Sequence, residues 1–430
     1  MFQFIPDVDS AIFDAFVRNH PSKSHFMQSS AWGELSEVEK GLRAHRVGLA
    51  DESSSLVAAA LLLERKPPMF PPYLYAPRGF VVDFHDFALL EAMTREVAAF
   101  ARSRGAMFFK IDPDIEHWQI DGKGNPVPGG YDNTDVFNAL LRFGFKHQGF
   151  NKGFEGRQPR YTFRLDLTRS DDEIDKAIVG NVMKNVKKSR RYACEVVKGA
   201  SSDVAELHRL ITITSERDDF VGYGLSYYQS FYDILAAHDM ATLYLGKVDP
   251  ARTVSLLRAE LDALLEKRKM LKKPGPLHES ELSEQRLLRE IEQFESYART
   301  YPNGATISAH LVVRYGDKAW AVHAGSDRLM SETFINNRVY YEKIHDVKRM
   351  GARLLDQFGT VGNPEESTLS SLHDFKRQFG GNYVEFLGEF DYILKPVGYF
   401  AYVHLLPLYR KARISLKMAL RGKKTRNSEN

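Results

Sequence analysis

ARTVSLLRAELDALLEKRKMLKKPGPLHESELSEQRLLREIEQFESYARTY, residues 251–301, is the stretch that reads as a simple repeating solid. Leu257, Leu261, Leu264 and Leu271 fall at spacings of four, three and seven, and Leu287, Ile291, Phe294, Ala298 and Tyr301 continue at four, three, four and three. Such spacings place one apolar stripe on each of two helices and leave the charged residues elsewhere. Lys273-Pro274-Gly275-Pro276 should separate the helices, since a proline in a helix interior removes an amide donor and clashes with the preceding turn. A first helix running from Arg252 to Lys273 would be roughly 33 Å long. Stripe against stripe, the two form an antiparallel hairpin protruding from the rest of the chain. Near its tip Lys267, Arg268, Lys269, Lys272 and Lys273 put five positive charges in seven positions. They are either a solvated face or an arm that reaches a polyanion.

The 430 residues suggest two or three domains. A formal charge of +3 carries little meaning by itself, so only local clustering of charge informs. The single cysteine, Cys194, excludes an internal disulfide and a multi-cysteine metal site, and it fits a reducing compartment. Met1 to Asp7 lacks the pattern of a signal peptide, and the longest apolar run, Leu56–Leu63, is strand-sized. A cytoplasmic protein is expected.

Working outward from the arm, Ala241–Val248 reads as a strand leading into it, and Ala305–Tyr315 with Lys318–Ala324 as a hairpin after it. Helices are expected at 8–20, after Ser29-Ser30, and at 86–104, 172–193, 202–216, 227–236, 337–350 and 367–378. Strands are expected at 44–49, 56–63, 106–113, 160–167, 352–358 and 390–394. This alternation indicates a mixed α/β protein. The order of elements in 150–395 roughly repeats that of 1–150, with the arm inserted into the second copy. The expected domains are therefore 1–150, completed by 396–430, and 151–250 with 302–395, interrupted by the arm at 251–301. The tail from 407 carries eight Lys/Arg between Arg410 and Arg426. Apolar residues interleave with them through 408–421, which suits a helix lying on an anionic membrane surface as well as a solvated tail.

No Walker loop, Gly-x-Ser-x-Gly elbow or His-Glu-x-x-His is present. Gln119-Ile120-Asp121-Gly122-Lys123-Gly124 matches a pyrophosphate loop of acetyl-CoA-dependent transferases, but the Asn125–Gly130 segment after it cannot start a helix. The segment at 184–191, with Lys184, Lys187, Lys188, Arg190 and Arg191, forms a second basic face. Together with the arm tip it suits contact with a phosphate backbone. Arg217 stands where a helix turns, as a structural cap would. Lys376, ahead of Gly380-Gly381, is by default a C-terminal-turn charge favoured by the helix dipole. Asp112, ending a buried strand, is the one carboxylate whose position suits a base.

Several segments, taken in order, carry a resemblance. They are Gln28-Ser29-x-x-Trp32, Tyr75-x-Pro77-Arg78-Gly79, Lys110-Ile111-Asp112-Pro113, Gly144-Phe145-Lys146-His147, Gln158-Pro159-Arg160, Arg217-x-x-Phe220 and Phe375-Lys376-x-x-Phe379-Gly380-Gly381. With the inserted hairpin, the chain resembles the FemABX (Fem/MurM-like) aminoacyl-tRNA-dependent peptidyltransferases from end to end. The resemblance implies two GNAT-like acyltransferase domains with a coiled-coil arm, and no acetyl-CoA or other cofactor or metal. It implies transfer of an amino acid from aminoacyl-tRNA to the stem-peptide amine of a peptidoglycan precursor, lipid II or UDP-MurNAc-pentapeptide. It further implies Lys376 and Phe375 at the reaction centre, and Arg217 on the acceptor's diphosphate with Trp32, Tyr75 and Arg78 nearby. The arm tip and the 184–191 face would meet tRNA. Ser36 stands where the family often has a second diphosphate-binding lysine, and Lys40, one helical turn on, is its replacement. A CoA-dependent N-acyltransferase on the same fold leaves the arm unexplained. A coiled-coil adaptor would need an apolar outer arm surface.

Overall fold

The computed structural model describes residues 2–218 and 220–406. The chain forms two compact units. One comprises residues 1–119, 126–160 and 385–430, and the other residues 120–125 and 161–384. The return to the first unit thus comes at Glu385, ahead of the expected 396. The strand Phe390–Ile393 pairs with Phe108–Ile111 on one side and with Phe145–His147 on the other, so it closes the first sheet.

In the first unit the strands lie in the order Gln3–Ile5, Arg43–Ala50, Leu56–Arg65, Tyr73–Ala76, Phe108–Ile111, Phe390–Ile393, Phe145–His147. All neighbours are antiparallel except Tyr73–Ala76 and Phe108–Ile111. The second unit orders its strands Cys194–Gly199, Ala241–Val248, Ala305–Tyr315, Lys318–Ser326, Leu354–Asp356, Tyr161–Asp166, Asn382–Phe386. Here too the fourth and fifth strands are parallel, Lys318 facing Leu354 and Trp320 facing Asp356. Helices fall in matching places. Ser10–Asn19 and Ser30–Lys40 precede the second strand of the first unit, as Val204–Asp218 and Leu225–Ala237 do in the second. Phe87–Ser103 and Ile335–Arg349 each cross between the parallel strands. The expected two mixed α/β domains are what the chain forms, and the element order repeats through the first five strands of each sheet, while the sixth comes from late in the chain in one (Phe390–Ile393) and from ahead of the other five in the other (Tyr161–Asp166).

The cores follow from sequence pattern. Leu56–Arg65 is a strand of Leu, Val and Ala, and Ala58 to Leu62 are fully buried, as in a strand covered on both faces. Helix Phe87–Ser103 turns Leu90, Met93, Val97 and Ala101 onto that sheet. In the second unit Ile335, Val339, Ile344 and Val347 do the same.

The arm is a pair of helices, Pro250–Arg268 and Pro274–Thr300, joined through 269–273. Leu257, Leu287, Ile291 and Phe294 are buried between them and against Tyr192. The first helix stops earlier than expected and the prolines do not lie between the helices. Pro274, Gly275 and Pro276 form the first turn of the second, where a missing amide costs nothing because the first-turn amides have no partner within the helix. A second difference lies at 172–193, expected as one helix and found as two, Asp171–Ala177 and Gly180–Ser189. Ile178 is extended, and the Val179 amide, which a continuous helix would use, donates to the Gln378 carbonyl at 2.9 Å. Two β-branched residues followed by glycine make that break cheap. The Ser170–Glu173 capping box forms as read.

Candidate active site

In each unit an aspartate stands at the end of the fifth strand, where its pairing with the parallel fourth strand stops. In the first unit Asp112 follows the strand Phe108–Ile111 and is buried. One of its carboxylate oxygens accepts the Arg78 amide at 2.7 Å and the other accepts the Tyr75 hydroxyl at 2.8 Å. Arg78 holds a left-handed φ of 56°, unusual for a side chain of its size, so the Asp112 contact fixes a strained corner. Burial pushes the Asp112 carboxyl up to about 7, against the opposing charge of Arg78. Arg78 itself is buried, with its guanidinium 4.3 Å over the Phe386 ring and donating to the Pro159 carbonyl at 2.7 Å. Tyr75 and Arg78, expected on the substrate, therefore meet around Asp112 as its supports.

The end of the fifth strand in the second unit has the same device with different chemistry. Phe358 takes a left-handed φ of 59°, and its amide donates to Asp356 at 2.7 Å. Asp356 also accepts from Arg164 at 3.0 Å and from the Thr162 hydroxyl at 2.5 Å. Onto this corner the helix Ser370–Arg377 lowers Lys376, whose ammonium donates to the Phe358 carbonyl at 3.0 Å and the Gly359 carbonyl at 2.6 Å. Burial draws its pKa down to about 8, while the charge of Asp356 works to hold it up. Lys376 is 8% exposed, so it is not a dipole-facing surface lysine. The glycines after it are required. Gly380 and Gly381 have φ of 81° and 96°, and a Cβ on Gly381 would sit 2.9 Å from the Arg164 carbonyl oxygen. Phe375 packs edge-on against Tyr340 at 4.9 Å and serves as the wall of the corner.

Tyr340 leads to a group that the sequence pattern hid. Lys343 is fully buried, with its amine 3.3 Å from the Tyr340 ring centre and 3.1 Å from His310 Nδ1. Burial, with the charge of Lys376 behind it, depresses the Lys343 pKa far below that of an exposed lysine. Burial and Lys343 likewise hold His310 well below an ordinary histidine. A signal existed. Ile335, Val339, Lys343 and Val347 repeat every four residues, which puts a lysine in an apolar stripe.

The expected acceptor residues Trp32 and Lys40 are together, Lys40 lying 5.7 Å from the Trp32 ring centre. Burial lowers the Lys40 pKa, and the charges of Arg65 and Arg157 lower it further. Sequence reading missed both arginines, although Arg157 directly precedes the Gln158-Pro159-Arg160 segment. Among the described residues no carboxylate lies within ion-pair distance of these three cations, each of which keeps part of its surface open to solvent. Arg157 also donates to the Tyr73 hydroxyl at 2.9 Å. Such a cluster invites an anion of two or more charges. Arg217, in the second unit, pairs with Asp218 at 2.9 Å and donates to the Ser326 carbonyl at 3.1 Å.

The basic residues divide in two. Lys184, Lys187, Lys188, Arg190, Lys267, Lys272 and Lys273 are exposed, and none has an ion pair among the described residues. Arg191 instead ties the arm down through Glu260 at 2.6 Å and Glu290 at 2.9 Å. Arg268 bridges the hairpin to Ser280 at 2.9 Å and Glu284 at 2.7 Å, and Lys269 pairs with Glu266 at 2.6 Å. The tail at 408–426 lies outside the described residues.

Among the described residues no group of His, Cys, Asp and Glu is arranged to hold a metal ion, and no helix is long and apolar enough to cross a membrane. A profile described as the FemAB family matches residues 8–406. A lipid II:glycine glycyltransferase of Staphylococcus haemolyticus is 29% identical over 423 residues, covering 95% of this chain and 97% of the relative. One of Staphylococcus aureus is 27% identical over 425 residues with the same coverage. The crystal structure of FemX matches with a TM-score of 0.77 and 26% identity, covering 92% of this chain and 98% of that one.

Proposed function

The chain belongs to the FemAB family, and from that premise we propose that it transfers an amino acid from aminoacyl-tRNA to the stem-peptide amine of a lipid-linked peptidoglycan precursor, building an interpeptide bridge. The observation that carries the chemistry is the buried ammonium of Lys376. Two of its three protons are given to the Phe358 and Gly359 carbonyls, which leaves one to donate to a developing oxyanion. In the reaction the acceptor amine attacks the ester carbonyl, a C–N bond forms, and the bond to the tRNA ribose oxygen breaks. Such aminolysis needs a neutral amine held in line and a fixed positive charge at the oxyanion. The leaving ribose oxygen takes the proton that the amine loses, by way of the ribose's own neighbouring hydroxyl.

Lys40, Arg65 and Arg157 would bind the acceptor's diphosphate, with Trp32 beneath Lys40. The exposed cations at the arm tip and on helix Gly180–Ser189 would follow the phosphates of tRNA. The lipid-linked acceptor is favoured over the nucleotide-linked one because the relatives are named for lipid II. The test is reconstitution with pools of charged tRNA and either acceptor, with the product read by mass. A gain of one amino-acid residue, dependent on charged tRNA, is expected. A product formed from acyl-CoA without tRNA would replace this function with N-acylation.

A further inference from the structure

The helix through 396–406, which belongs to the first unit, has two contrasting faces. Tyr399, Tyr402 and Leu406 turn inward. The Tyr399 ring lies 5.2 Å from Phe108 and its hydroxyl donates to Asp391 at 2.9 Å, while the Tyr402 ring lies 5.5 Å from Tyr73. On the other side Val397, Phe400, Val403 and Leu405 are 85%, 63%, 37% and 53% exposed, and the His404 ring lies tilted against Phe400 at 4.4 Å. Met69, 79% exposed, extends this apolar surface from the neighbouring turn, whose Phe70 ring is 5.8 Å from Tyr402. An apolar stripe of this kind on an exposed helix marks an interaction surface.

Charge indicates the partner. Tyr402 packs on Tyr73, whose hydroxyl accepts from Arg157 at 2.9 Å and which faces Arg65 across the sheet, so cations of the cluster lie at the foot of this helix, beside the turn that carries Met69. The sequence directly after the helix adds eight Lys/Arg between Arg410 and Arg426. Apolar side chains bordered by cations match the boundary between acyl chains and anionic headgroups. We propose that Val397, Phe400, Val403, Leu405 and Met69 dock this protein on an anionic bilayer, setting Lys40, Arg65 and Arg157 at the depth of a lipid-borne diphosphate. The docking rests on the lipid-linked acceptor of the proposed function, which it extends by assigning the surface that meets the lipid.

The test uses the full chain with phosphatidylglycerol/phosphatidylcholine vesicles that contain no precursor. The double variant V397E/F400E, and separately the milder Phe400→Gln, should keep the wild-type Tm because both side chains are exposed. The double variant should weaken vesicle binding about tenfold or more, and Phe400→Gln less. Turnover on vesicle-embedded precursor should fall in parallel, and turnover on a soluble nucleotide-linked acceptor should stay. Three results would overturn the proposal: unchanged vesicle binding by the double variant, binding abolished by deleting 408–430 alone while the double variant binds as wild type, or a wild-type dimer that the double variant dissociates without loss of vesicle binding. If the wild type binds vesicles through this face yet transfers no amino acid, the docking stands and the proposed function fails.

Discussion

Between Arg43–Ala50 and Leu56–Arg65 the first unit turns round within residues 51–55, closed by the Asp51 amide on the Ser55 carbonyl at 2.9 Å. Between the matching strands of the second unit, Ala241–Val248 and Ala305–Tyr315, the chain builds the whole helical arm. The corners differ as well. Both hold a left-handed residue by an amide-to-aspartate hydrogen bond of 2.7 Å. In the first unit the aspartate has no ion pair among the described residues and keeps its proton near neutrality. In the second it is neutralised by Arg164 and accompanied by Lys376. The order of the first five strands is kept in both units while loops and corners diverge, as expected when function is grafted onto the ends of a rigid sheet.

That contrast can be broken most forcefully at Asp356. Asp356→Asn removes the buried charge on which Arg164, the Thr162 hydroxyl and the Phe358 amide converge, a loss of about 1.5–3 kcal/mol, read as a large fall in Tm. Asp112→Asn keeps the size and most of the hydrogen bonding, so it should fold. Should the two variants melt alike, the corners would not differ as described.

The pH dependence of stability sharpens the same point. The folded Asp112 carboxyl titrates near 7, above its unfolded value, so its contribution is complete in acid and is lost as pH rises through about 7. Against Asp112→Asn, the wild type should lose stability between pH 4 and 7 with a slope of at most about 1.4 kcal/mol per pH unit. A difference flat in pH would mean that the carboxyl is ionised throughout.

Smaller effects belong to the exposed cations. Arg65→Ala or Arg157→Ala should raise the acceptor KM about tenfold, the worth of one charge-assisted hydrogen bond at about 1.4 kcal/mol, with folding unchanged. Equal KM values would remove the cluster from the acceptor site. In the arm, changing Lys267, Lys272 and Lys273 to Ala should reduce the log–log salt slope of tRNA binding by roughly 0.7–0.9 for each phosphate no longer neutralised. Arg268→Ala, in contrast, should mainly loosen the hairpin, since that side chain is engaged with Ser280 and Glu284. A salt slope that responds only to Arg268→Ala would reverse these roles.

Much of the fold was legible because its signals are local. The arm's apolar spacing, the hairpin at Gly316-Asp317 and the capping box at Ser170 each depend on a few neighbouring residues. The strands Cys194–Gly199 and Asn382–Phe386 escaped notice because they are short and only tertiary pairing makes them strands. The break at Ile178-Val179 was hidden for a similar reason, since its compensating bond goes to Gln378, far along the chain. For the site, motif order pointed to Lys376, Asp112 and Lys40, but not to what surrounds them. Arg65 and Arg157 become partners of Lys40 only once the sheet brings them together. A run of charges also could not reveal that Arg191 and Arg268 brace the arm, whereas Arg190 and Lys267 beside them stay exposed.

The central claim is that the Lys376 ammonium acts on the transition state and not merely on donor binding. Steady-state kinetics of Lys376→Met on the lipid-linked acceptor, over a range of charged-tRNA concentrations, test it most directly. The substitution keeps the buried stem and removes the charge. Turnover at saturation should fall by roughly a hundredfold or more, about 3 kcal/mol, with the apparent affinity for charged tRNA little changed. In the wild type, turnover should decline as pH rises past about 8, where the ammonium is lost, and Lys376→Met should lack that decline. A variant whose affinity for charged tRNA collapses while its saturated turnover survives would contradict the account, and Lys376 would then be a donor-positioning contact.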